Sequence, residues 1–197
     1  QAFYGRNGEA PLPIVAAASA SDAFDAAYEA CRIALKYMTP VMLLSDGYIA
    51  TGAEPWRIPD VSKLPKLDVK FRTDPENFLG YDRKEDTLAR PWAIPGTPGL
   101  EHRVGGLEKE DGSGNVCYDA NNHEYMCKIR AEKVTRIQQD IPPCELLGED
   151  SGDVLVVGWG GTKGVLVAAT KQAQLKGLKV SHLHLRHLNP LPADLED

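Results

Sequence analysis

Nothing in this 197-residue chain approaches the ~20 consecutive apolar residues that a membrane-crossing helix needs. Cationic side chains are in the minority, with 22 Lys and Arg against 28 Asp and Glu. That balance excludes a nucleic-acid surface, which requires clustered positive charge, and directs attention to proteins and small molecules as partners. The opening residues, QAFYGRNGEAP, have neither the basic start nor the apolar centre of a signal peptide, so the cytoplasm is the expected location. Cysteine is scarce and scattered: Cys31, Cys117, Cys127 and Cys144 form no CxxC pair. An iron–sulfur cluster or a structural zinc held by this chain alone is therefore not expected. Cys31 falls on a predicted helix and reads as a small buried residue; the other three read as free thiols in a reducing compartment. No internal repeat is present, and no Ser/His/Asp or Cys/His set supports hydrolytic chemistry.

What is present reads as α/β. An apolar fraction of 43% suffices for one large domain or two modest ones. Residues 13–18 are a short apolar run suited to a buried strand. Ser19 and Asp22 then match a capping box, and Ala23, Ala26, Ala27, Ala30, Ile33 and Ala34 line one side of the helix that follows. Thr39-Pro40 stops that helix, and residues 41–45 form a second buried strand. Strand–helix–strand implies a right-handed crossover and a parallel sheet. A second unit of the same kind occupies residues 153–185. DVLVVGWGG reads as a buried strand, and residues 162–176 as a helix with Val165, Ala168, Ala169 and Ala173 inward. Gly177 ends that helix, and the strand 180–185 completes the unit. Between the two lies an irregular stretch, residues 60–150, rich in proline and glycine. It is expected to wrap over neighbouring domains or subunits. Its one clear helix runs from about residue 122 to 139, with Tyr125, Ile129, Val134 and Ile137 as apolar contacts. Two strands do not make a domain, so the first unit reads as the carboxyl-terminal piece of a larger one.

The run LLSDGYIATGAEPWRIPD, residues 43–60, carries the first candidate site. Open α/β sheets meet ligands at the carboxyl ends of their strands. Asp46 and Gly47 stand at such an end, with Glu54 in the polar loop beyond and Glu9 ahead of the first strand. Asp46 can equally serve by bonding loop amides, the commoner task of aspartate at a turn. Arg6 has two readings of equal weight: a planar fork for a substrate carboxylate or phosphate, or a salt bridge with Glu9. Arg57, beside Trp56, reads as an interface residue. Residues 158–164, GWGGTKG, fit neither a P-loop nor GxGxxG. Their glycines either let the helix pack close to the strand, the favoured reading, or present amides to a phosphate or carboxylate. His182 and His184 share a strand face, but with His187 they lack a nearby third ligand and read as bonded structural histidines. His102 and His123 stand alone.

Six strings follow one another along the chain: YGRNGEAPLPIV, YMTPVMLLSDGYIATGAEPWRIP, ARPWAIPGTPGLEHRVGG, NHEYMCKIR, DVLVVGWGGTKG and HLHLRHLNPLP. Together they resemble the α subunit of 2-oxoacid:ferredoxin oxidoreductases, most closely the 2-oxoglutarate type, across nearly all 197 residues. Gly161 departs from the pattern, which has serine after GWG. The resemblance implies oxidative decarboxylation of a 2-oxoacid with thiamine diphosphate, the acyl group passing to coenzyme A and electrons to ferredoxin. It implies that residues 1–59 end the pyrimidine-side cofactor domain, that 60–150 connect, and that 151–197 begin a domain like the transketolase carboxyl-terminal one. A β subunit is the implied partner, and it mainly holds the diphosphate, magnesium and an iron–sulfur cluster. The family's YPITPS-like and TSGPG-like segments have no counterpart here, so no catalytic residue is assigned. The chain alone is expected to bind no cofactor and to turn nothing over. Two competitors remain: a non-catalytic assembly module, and a nucleotide-binding α/β protein using residues 158–164.

Overall fold

A computed structural model of the chain describes residues 1–6, 9–67 and 69–196. Strand β1 (Ile14–Ala16) and strand β2 (Met42–Leu44) lie parallel, with Ile14 opposite Met42 and Ala16 opposite Leu44. Helix α1 (Asp22–Tyr37) crosses between them. The capping box at its start forms one residue out of the expected register. Ser19 Oγ accepts from the Asp22 amide at 3.3 Å, and the Asp22 carboxylate reaches back to the Ala18 amide at 2.8 Å instead of that of Ser19. The helix ends on Met38 in the left-handed conformation, φ 46°, before Pro40 forbids another turn.

A short helix, α2 (Gly47–Thr51), follows β2 where the sequence suggested only a loop. Its cause is local: Asp46 takes extended backbone angles and caps the turn. Helix α3 (Ala120–Arg136), capped by Asp119 on the Asn122 amide, continues into a 3₁₀ turn at Ile137–Asp140. Strand β3 (Leu146–Leu147) precedes the second crossover unit of β4 (Val154–Trp159), α4 (Lys163–Leu175) and β5 (Val180–Leu185). β4 and β5 are parallel, Val154 opposite Val180 through Trp159 opposite Leu185. Both expected parallel pairs are thus present. Each also gains an antiparallel neighbour that the periodicity did not reveal. β6 (His187–Asn189) joins β1, giving the order β2-β1-β6, and β3 joins β5, giving β3-β5-β4.

The main core holds Val15, Ala17, Ala26, Ile33, Tyr37 and Ile49 together with Ile137 and Ile141 from the end of α3. Polar bonds fasten the second unit's exit to α1. Arg186 pairs with Asp22, and His187 Nε2 lies 2.9 Å from Glu29 Oε1. Burial opposes ionisation of Glu29, but hydrogen bonds from Arg32 and His187 outweigh it and hold this carboxyl at about 2. The irregular stretch folds back onto these helices within the same chain. Trp92 Nε1 donates to the Leu35 carbonyl at 3.0 Å, and Arg136 reaches the carbonyls of Glu85 and Asp86.

Five sequence expectations are corrected. Cys31 is exposed, because it lies on the face of α1 opposite Ala26 and Ile33. Tyr125 is largely exposed and Met126 takes the buried position beside Ile129. β2 and β4 are both sheet edges and neither is a fully buried strand. On α4 the residues turned inward include Leu166, Val167, Thr170 and Ala173, whereas Val165, Ala168 and Ala169 are exposed.

Candidate functional site

The carboxyl ends of β1, β2 and β4 converge on one open cleft of about 620 Å³. Ala18, Ser19 and Ala20 line it after β1; Tyr48, Ile49 and Glu54 line it after β2; Gly161, Gly164, Val165 and Ala168 close its far side. The exposed face of α4 therefore has a reason. Its helix is apolar on two sides, one against β4 and β5, the other against this cleft.

Asp46 joins the two crossover units. One carboxylate oxygen accepts from the Ile49 amide at 2.8 Å, and the other from the Gly161 amide at 3.2 Å. A β-carbon at position 161 would lie 2.6 Å from Asp46 Oδ2, so glycine lets the loop amide approach the carboxylate. Both readings of residues 158–164 thereby acquire content. A β-carbon on Gly158 would meet Leu166 Cδ1 at 2.3 Å, and Gly160 takes φ 65°, so these two serve close packing and a turn. Gly161 does meet an anion, and the anion is the chain's own Asp46. Gly47, beside it, faces open space.

Glu54 binds the start of α1, its Oε1 accepting from the Ser21 amide. The Ser19 hydroxyl, followed by the Ser21 amide and hydroxyl, lowers this carboxyl to about 2, so it stays ionised on the cleft rim. Arg6 and Glu9 are not among the cleft-lining residues. The Arg6 guanidinium turns onto backbone carbonyls, Ala10 at 2.9 Å and Ala2 at 3.2 Å. Glu9 Oε1 lies 3.4 Å from His123 Nε2. Trp56 packs at an angle on Phe24, 5.8 Å between ring centres. His182 Nδ1 bonds the Val156 carbonyl, His184 Nε2 the Gly160 carbonyl and His187 the Glu29 carboxylate, so the three hold backbone and an ion pair. His184 supports the very turn that carries Gly161. Sequence reasoning passed over that link because 24 residues separate the partners.

The lining tells what chemistry fits. A volume of this order suits a small molecule, and apolar walls with few polar groups suit a ring system. Among the described lining residues Glu54 is the only charged side chain, with no Lys or Arg beside it. The cleft accordingly offers an apolar wall and, among its described lining residues, no cationic side chain.

Two strand–helix–strand units that share a crevice at their strand ends place the chain in the α/β class. The family follows from comparison. Residues 2–121 match the model described as pyruvate flavodoxin/ferredoxin oxidoreductase, thiamine diphosphate-binding, and the chain belongs to that family. Over 197 residues it is 50% identical to the 2-oxoglutarate oxidoreductase subunit KorA of Mycobacterium tuberculosis, covering 99% of this chain and 30% of that one. Over 195 residues it is 27% identical to 2-oxoacid:ferredoxin oxidoreductase 1, subunit alpha, of Aeropyrum pernix, covering 96% of this chain and 30% of that one. Among solved structures it resembles the 2-oxoglutarate:ferredoxin oxidoreductase of Magnetococcus marinus with 2-oxoglutarate, coenzyme A and succinyl-CoA bound. That match has a TM-score of 0.86 and 29% identity, and covers 97% of this chain and 33% of the other. The chain thus spans about a third of the length of these relatives. Among the described residues no helix is long and apolar enough to cross a membrane.

Proposed function

We propose that this chain forms part of the α subunit of a 2-oxoglutarate:ferredoxin oxidoreductase, which decarboxylates the oxoacid, forms its coenzyme A thioester and reduces ferredoxin. The observation that carries this is the cleft on which β1, β2 and β4 converge, in a chain of a thiamine-diphosphate-binding family. The names of the relatives support 2-oxoglutarate as the substrate.

Thiamine diphosphate supplies the chemistry that releases carbon dioxide from the oxoacid. This chain's contribution is to present an apolar wall. Asp46, with Gly47 beside it, fixes where the β2 loop and the Gly161 turn stand, and Glu54 pins the start of α1. Ala18, Val165 and Ala168 keep that side of the cleft poor in water. The lack of cationic lining residues supports a division of labour in which a β subunit holds the diphosphate, magnesium and an iron–sulfur cluster. Arg6 reaches a substrate only if its loop rearranges. In this reading residues 1–59 end the pyrimidine-side domain, 60–150 connect, and 151–197 open a transketolase-C-like domain; the parallel β4-α4-β5 unit supports the last of these. The working enzyme sits in the cytoplasm, and the chain alone is inactive because one wall does not close a site.

An assembly role for the second unit has its own support, the uncovered apolar row Leu155, Val157 and Trp159 on β4. The test is to assemble the full-length α subunit with a β subunit and follow ferredoxin reduction. The expected result is reduction dependent on both 2-oxoglutarate and coenzyme A. An intact, cofactor-loaded assembly that oxidises no 2-oxoacid would overturn the proposal.

A further inference from the structure

The segment before β1 and helix α3 meet at three side chains of different chemistry. Glu9, His123 and Cys127 each bring one donor atom, and the three atoms lie within 4.8 Å of one another. His123 and Cys127 are four residues apart on α3, so they stand one above the other on a single helix face. Glu9 arrives from 114 residues away. His123 Nε2 lies 3.4 Å from Glu9 Oε1 and 3.7 Å from Cys127 Sγ. Tetrahedral zinc, with Zn–N and Zn–O near 2.0–2.2 Å and Zn–S near 2.3 Å, sets these edges at about 3.3 and about 3.6 Å.

The surroundings match as well. His123 Nδ1 lies 2.7 Å from Glu108 Oε2, an arrangement that orients the ring and leaves Nε2 for a metal. Arg130 holds Glu108 in turn, Nη1 to Oε1 at 3.1 Å, and its Nη2 lies 3.1 Å from Cys127 Sγ.

We propose that Glu9, His123 and Cys127 form a binding site for a zinc-type divalent cation. A thiolate with an imidazole selects a borderline-soft ion of this kind over magnesium or calcium. The metal takes the place of the proton between Nε2 and Glu9, and solvent completes its coordination. It clips the residues ahead of β1 to α3, and so fixes the entry of the strand that centres the first sheet. This site is separate from the cleft-lining residues and does not rest on the function proposed above.

The test uses the full-length subunit that carries this chain, stripped with a chelator and titrated with Zn²⁺ alone against a chromophoric competitor. Cys127→Ser and His123→Gln should weaken binding by more than the ~10–100-fold expected for Glu108→Gln, whose carboxylate acts only through His123. Cys117→Ser should bind as the parent does. In the unsubstituted protein, Zn²⁺ should slow alkylation of Cys127 at least ~10-fold, mapped by mass spectrometry, and the zinc X-ray absorption spectrum should contain a sulfur neighbour. Equal zinc affinity in the parent and in Cys127→Ser would overturn the site. So would alkylation of Cys127 at a rate independent of zinc, even were the variants to misfold.

Discussion

β1 and β4 each open a strand–helix–strand unit, and each reads as an uninterrupted apolar run. Their fates differ. Ile14, Val15 and Ala16 are at most 1% exposed, whereas Leu155, Val157 and Trp159 are 54%, 50% and 56% exposed. The cause is position in the sheet. β1 sits between β2 and β6, with α1 and Ile137 packed over it; β4 has one neighbour, β5, and α4 covers one face alone. An apolar pattern therefore states what a segment can bury, and topology decides what covers it. Among the described residues nothing covers the apolar row of β4.

Substitutions in the two units sharpen this contrast. Ile33→Ala, at the fully buried centre of α1, should cost about 2–5 kcal/mol in denaturant unfolding. Glu29→Gln comes next, at about 1–3 kcal/mol, since it removes the charge and replaces one of the two half-buried oxygens that accept from Arg32 and His187 with a donor. Its signature is pH dependence. Glu29 titrates at about 2 when folded against an ordinary 4.5, so its contribution is complete above pH 4.5 and disappears as pH falls toward 2. The variant's stability should fall less steeply over that interval.

Asp46→Ala should cost about 1–2 kcal/mol by removing the α2 cap, and amide exchange should quicken at Ile49 and Gly161 together. Exchange quickening at Ile49 alone would show that Asp46 does not couple the units. Lys133→Met should raise stability by about 1 kcal/mol at neutral pH. Burial, with Arg83 and Arg90 nearby, depresses the Lys133 ammonium to about 8 from 10.5. The parent therefore gains stability as pH rises from 8 to 10.5 while the variant does not, and their difference closes over that range. Val157→Ala, on the open row of β4, should change stability by about 0.5 kcal/mol or less in this chain alone. A cost like that of Ile33→Ala would mean the row is covered after all.

The elements that could be read from the sequence are those whose signals are local. Apolar runs bounded by Ser19-Asp22, Pro40 and Gly177 located both crossover units, and the spacing of Ile129, Val134 and Ile137 located α3. The misreadings share one origin. In α4 the stretch VLVAATKQA is apolar or small on two faces, so periodicity could not separate the face toward the sheet from the face toward the cleft. Strands β3 and β6 are too short to leave a pattern, and both pair across distance. Asp46 stood out from its place after a strand, yet its partner Gly161 lies 115 residues on. The less favoured reading of the glycine loop, amides presented to a phosphate or carboxylate, looked to an external anion because no local signal pointed to an aspartate from the other unit. Glu9, His123 and Cys127 were each visible singly, and only the fold brings them together.

The most direct check on the proposed function is the behaviour of this chain by itself, supplied with thiamine diphosphate, magnesium, coenzyme A and 2-oxoglutarate. A cleft with one wall and no cationic side chain among its described lining residues should give no 2-oxoglutarate-dependent reduction of a viologen dye. Steady reduction by the isolated chain would contradict the account.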